Sequence, residues 1–163
     1  MAMAQPRAEE PLVLRLSRRL PARRELVFRA LTEPAELARW WGPAGFTVPE
    51  CTLDPRPGGA WRTVMRSPEG RDHIVGGVYR EIRPPTRLVL TWAWETEGTR
   101  GHETLVTIEL HEQGEATLLE LHHELFESES SRDQHRHGWS SCFDCLEQAL
   151  AAGRIEAAGC ARC

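Results

Sequence analysis

RLVLTWAWE, residues 87–95, is the stretch on which the architecture turns. Successive side chains of a strand point to opposite sides, so Leu88, Leu90, Trp92 and Trp94 share one face while Arg87, Thr91 and Glu95 lie opposite. A strand with two indoles on one face and charges on the other belongs to a sheet that meets water on one side and a large apolar body on the other. Just upstream, Pro84-Pro85 ends the preceding strand, HIVGGVYREI (73–82), because proline lacks an N–H and fixes φ. Gly76-Gly77 inside that strand predicts a bulge or bend, which a sheet needs in order to curl.

Working outward, FTVPECTLD (46–54), AWRTVMRS (60–67), ETLVTIELHE (103–112) and ATLLELHHELF (116–126) read as further strands. The separators PRPGG, PEGRD, RPPT, TEGTRG and EQGE carry turn chemistry, and short connections predict an antiparallel meander. Gly58-Gly59 permits a tight turn that sets Trp61 onto the sheet. At the start of the chain, LVLRLSRRL (12–20) alternates as a half-buried strand. Pro21 then opens a helix with Leu26, Val27, Ala30 and Leu31 at helical spacing. Pro34 starts a short second helix to Trp41, stopped by Gly42-Pro43.

The body gripped by the sheet is expected in the last long segment. Ser131-Arg132-Asp133-Gln134 fits a capping box, and Trp139, Cys142/Phe143, Leu146 and Ala149/Leu150 form a helical stripe that Gly153 ends. The expected class is α+β, in the order β-α-α-β-β-β-β-β-β-α, with a curved antiparallel sheet wrapped around a long C-terminal helix. The domain spans 12–152, flanked by tails at 1–11 and 153–163.

Composition narrows the partners. The 163 residues suit one domain, and the formal charge of −4 argues against nucleic acid or an anionic membrane. No apolar run approaches the roughly 18 residues of a spanning helix. The opening MAMAQPRAEEP lacks the apolar core of a signal peptide, so a cytoplasmic protein is expected. All 20 basic residues are arginine, which excludes lysine Schiff-base chemistry.

PAELARWWGPAGF (34–46), DPRPGGAW (54–61), GGVYREIRPPTRLVLTW (76–92) and GWSSCFDCLEQAL (138–150) together resemble the START-like, SRPBCC or helix-grip superfamily. Within it they resemble the homologues of the activator of the heat-shock protein 90 ATPase. The resemblance covers about residues 12–150 and implies a shared cavity rather than a shared catalytic set. It also implies a stress-response or chaperone-associated role as one alternative, and a cyclase- or hydratase-like enzyme as another.

The expected cavity lies between sheet and final helix, with Met65, Trp92, Trp94, Leu119, Leu121, His123, Trp139, Phe143 and Leu146 as candidate lining. Ordinary core packing competes as a reading for each of them. His123, among leucines in TLLELHHEL, is the candidate ligand contact or acid/base, against a hydrogen-bonded core histidine. In LARWWGPAGF (37–46) adjacent helix positions point about 100° apart, so Trp40 is expected to seal the helix–sheet edge and Trp41 to lie near the cavity mouth.

Cys142, Cys145, Cys160 and Cys163 form two CxxC pairs 14 residues apart, a weak zinc pattern because CFDC falls within a helix. No cofactor is expected. The expected partner is a hydrophobic or amphipathic small molecule such as a lipid, polyketide or aromatic metabolite, with a chaperone or a second copy (a homodimer) as further candidates.

Overall fold

The computed structural model describes residues 12–155. The tail expected at 1–11 and most of the one expected at 153–163 lie outside the described residues. In chain order the elements are β1 (Leu14–Leu20), α1 (Arg24–Thr32), α2 (Pro34–Leu37), β2 (Thr47–Leu53), β3 (Ala60–Arg66) and β4 (Asp72–Arg83). There follow β5 (Arg87–Thr96), β6 (Thr99–Arg100), β7 (Thr104–Gln113), β8 (Ala116–Glu124) and α3 (Glu129–Ala151). The strands form one antiparallel sheet in the order β1-β8-β7-β5-β4-β3-β2, with β6 an extension paired to β5. The first strand therefore pairs with the last, and the two helices after β1 carry the chain across to β2 at the far edge of the sheet.

The strand β6 was not expected. Glu97 and Gly98 both take positive φ, 51° and 78°, the backbone that a two-residue hairpin with the right-handed strand twist requires. TEGTRG is thus a tight hairpin that prolongs pairing to Thr96 and Thr99.

Alternation along β5 places Leu88, Leu90, Trp92 and Trp94 as expected, but the opposite face is not open to water: Val89, Thr91 and Ala93 are buried too. The cause lies at the glycine pair of β4. A Cβ on Gly77 would stand 2.1 Å from the carbonyl oxygen of Thr91, so only glycine lets the strands close in here. Two side chains replace the ordinary ladder at this point. The Val78 N–H donates to Thr91 Oγ1 at 2.8 Å, and Trp61 Nε1 donates to the Thr91 carbonyl at 2.9 Å. A register shift between Tyr79 and Glu81 then completes the bend.

The final helix begins earlier than the capping box at Ser131 predicts. Ser128 is the cap, and its hydroxyl accepts from the Ser131 N–H at 3.1 Å. The polar first turns Glu129–Gln134 carry no apolar stripe, which is why the apolar pattern alone placed the start late. The end is as expected: Gly153 at φ 68° donates to the Leu150 carbonyl, and Arg154 N–H to that of Ala149. Between the ends, Trp139, Cys142, Phe143, Leu146, Ala149 and Leu150 are buried against the concave sheet. Each large apolar side chain among them contributes about 1.5–3 kcal/mol, far more than the weak helix propensity of the segment costs. No helix among the described residues is long and apolar enough to cross a membrane.

Candidate functional site

Between the sheet and α3 lies a cleft of about 180 Å³. Trp41 and Pro43 wall it from the segment after α2, Met65 from β3, and Trp92 and Trp94 from β5. The helix contributes Gln134, His135, Gly138, Trp139 and Cys142. Of the expected lining set, the fold brings together Trp41, Met65, Trp92, Trp94 and Trp139. Leu119, Leu121, Phe143 and Leu146 do not line this cleft; they are at most 2% exposed and packed in the core.

The two adjacent tryptophans take different hydrogen-bond partners. Trp40 Nε1 donates to the Ala30 carbonyl of α1 at 3.0 Å, tying the segment after α2 back to α1. Trp41 turns to the cleft, donates to Thr63 Oγ1 at 3.0 Å, and meets Trp92 and Trp139 edge-on at 5.9 and 5.5 Å. Both are equally deep in the protein, at 3% and 7% exposure, so Trp41 serves core and cleft at once.

His123 requires correction. It is fully buried, does not line the cleft, and has both ring nitrogens engaged. Thr104 Oγ1 donates to the Trp92 carbonyl at 3.1 Å, so His123 Nε2–H must be the donor in its 2.7 Å bond to that hydroxyl. Nδ1, left bare, accepts from Trp139 Nε1 at 3.0 Å. Burial, with a smaller contribution from His135, lowers its pKa to about 2. Away from the cleft and bonded at both nitrogens to protein groups, the neutral imidazole positions Trp139. The strand expected over 116–126 ends at Glu124. Leu125 takes φ 73° and turns out to 57% exposure, and Phe126 stacks on His123 at 4.4 Å instead.

The residue that the sequence reading does not single out is His135. Its Nδ1 bonds the Ser131 carbonyl one turn back at 2.7 Å, and its Nε2 accepts from Trp94 Nε1 at 2.9 Å. Burial lowers its pKa as well, so it stands neutral in the cleft wall. Its signal was present in the sequence only as its place one turn before Trp139, on the same helix face. Gly138 was likewise read only as part of a motif.

The thiols offer little to a metal. Burial pushes Cys142 up to about 12 and raises Cys145 too, which disfavours the thiolate. The other half of the expected zinc pattern, Cys160 and Cys163, lies outside the described residues. Among the described residues, the trio able to share an ion is Glu109, His111 and Glu120; His111 and Glu120 are exposed, and Glu109 is paired with Arg87 at 2.8 Å. With His135 and Cys142 neutral, the cleft wall carries no formal charge among the described residues.

An antiparallel sheet curled around a long C-terminal helix, with an apolar cleft between them, defines the helix-grip class of the START/SRPBCC superfamily. The chain belongs to the family described as Activator of Hsp90 ATPase homolog 1-like protein, which matches residues 21–151. It is similar to the crystal structure of an AHSA1 protein from Silicibacter pomeroyi, with 32% identity, a TM-score of 0.80, and coverage of 86% of this chain and 99% of that one. A protein from Nitrosomonas europaea is similar at 30% identity and a TM-score of 0.74, covering 86% and 95% of the two chains. One from Rhodobacter sphaeroides follows at 29% and 0.74, covering 86% and 93%. No curated protein matches the chain.

Proposed function

We propose that the protein binds a small, apolar or amphipathic molecule in the cleft between the sheet and α3. The observation that carries this reading is Gly138. Glycine in a helix interior costs about 0.5–1 kcal/mol relative to alanine. Gly138 sits well inside the 23-residue α3, faces the cleft, and has nothing within 4 Å of where its Cβ would be. Helix stability is given up at a position where a side chain would project into open space beside the cleft.

The dimensions narrow the ligand. A cavity near 150 Å³ lined by apolar groups takes a benzene-sized molecule. At about 180 Å³ this cleft fits a single ring or its equivalent. A long lipid chain or a multi-ring polyketide would not be enclosed. His123 lies outside the cleft lining, which supports binding over the enzyme reading that made it the acid/base.

Gly138→Leu tests it. Leucine projects into open space and is a better helix former, so the variant should fold with equal or higher Tm. Titrated with acetophenone and ethylbenzene, the native protein should show saturable binding and the variant none. Equal binding by both proteins, or no saturable binding by the native chain, would overturn the reading.

A further inference from the structure

Five of the six tryptophans satisfy their indole N–H. Trp40 donates to the Ala30 carbonyl, Trp41 to Thr63 Oγ1, Trp61 to the Thr91 carbonyl, Trp94 to His135 Nε2 and Trp139 to His123 Nδ1, all within 2.9–3.0 Å. The sixth, Trp92 Nε1, is buried and has no partner among the described residues. Such a donor is uncommon in a protein interior, where a buried tryptophan is placed so that its N–H meets an acceptor.

The position of this orphan is what gives it meaning. Trp92 is 5% exposed and lies amid the aromatic cluster, with ring centroids 5.0 Å from Trp139, 5.4 Å from Trp61 and 5.9 Å from Trp41. Behind the cleft is a second, inner void of about 30 Å³. Three side chains wall both spaces: Trp41, Trp92 and Trp139. These indoles are the partition between the cleft and the void, and the unpaired donor belongs to one of them.

We infer that Trp92 Nε1–H is the group that reads the ligand, and that the ligand is an uncharged, single-ring-sized molecule carrying a hydrogen-bond acceptor such as a carbonyl or ether oxygen. This rests on the proposed binding function and adds to it a donor, a residue and a chemical class. The acceptor reaches the N–H when the partition parts and the cleft joins the void. Among the described residues no arginine or other cation lines either space, so a carboxylate would be stripped of water with nothing to balance its charge. A plain hydrocarbon would fill the cleft and leave the donor unpaired, which is the discrimination that a buried polar group imposes on a ligand lacking its partner.

The test uses three probes of one ring size on the full chain: acetophenone, ethylbenzene and benzoate. Acetophenone should bind the native protein about tenfold more tightly than ethylbenzene, equivalent to about 1.4 kcal/mol, and benzoate should bind more weakly than either. In a ¹⁵N–¹H spectrum, the Trp92 indole proton should move downfield with acetophenone and stay in place with ethylbenzene. Trp92→Phe keeps an aromatic ring without the donor and should bring the acetophenone and ethylbenzene affinities within about twofold. Saturable binding of both probes with equal affinity, or an unmoved Trp92 resonance in the acetophenone complex, overturns the role of this N–H and leaves the cleft reading standing. Failure of every probe to bind overturns both. The spectrum of the native protein needs no variant, so the inference stays open to refutation even if Trp92→Phe does not fold.

Discussion

Both nitrogens of His123 are engaged inside the protein, and its pKa falls from 6.5 to about 2 because burial disfavours the imidazolium. The folded state therefore refuses a proton that the unfolded chain accepts below about pH 6.5. Stability contributed this way is complete above that pH and is lost as pH falls through the window from 6.5 to about 2, at up to about 1.4 kcal/mol per pH unit. His135 is shifted in the same direction and adds to the slope. Urea unfolding should show the protein about 2 kcal/mol less stable at pH 5 than at pH 7 from His123 alone. His123→Gln, whose amide can accept from Trp139 and donate to Thr104, should flatten that dependence; an unchanged slope would contradict the assigned burial. The alternation of TLLELHHEL places His123 among leucines, and the structure buries it. The sequence could not reveal that its two partners come from β7 and α3, and those partners are what turn a candidate acid/base into a positioning group for Trp139.

At the scale of the element, the start of α3 separates two serines that look alike in SESSRDQ. Ser128 holds the cap bond to the Ser131 N–H, and Ser131 lies inside the first turn. Ser128→Ala should cost about 1 kcal/mol in urea denaturation, whereas Ser131→Ala should cost a few tenths at most. The bend of β4 makes a sharper claim. Because a Cβ at Gly77 would lie 2.1 Å from the Thr91 oxygen, Gly77→Ala must push the two strands apart and break the Trp61–Thr91 bond. Loss of several kcal/mol is expected, enough to leave little folded protein at 37 °C. Strand positions were legible because period-2 alternation is a local property. The hairpin at Glu97-Gly98 was not, since a glutamate with positive φ is tolerated only when pairing on both sides holds it.

For the whole molecule, binding and stability are linked. A ligand held only by the folded state adds about 1.4 kcal/mol at ten times its Kd, a rise in Tm of about 3–6 °C for a chain of this size. Acetophenone should produce that rise in the native protein and none in Gly138→Leu. What the sequence carries unaided is everything with a period or a local cause: the alternating strands, the helical stripe, the glycines and prolines at the turns, and the family resemblance these compose. Proximity across the chain has no such signature. That His135 meets Trp94, that Leu119, Leu121, Phe143 and Leu146 close into core while Gly138 leaves space, and that one indole of six goes without an acceptor all depend on how far the sheet curls before its strands meet the helix. That curvature is set by close approaches such as Gly77 against Thr91, where the absence of a side chain determines which distant surfaces can touch.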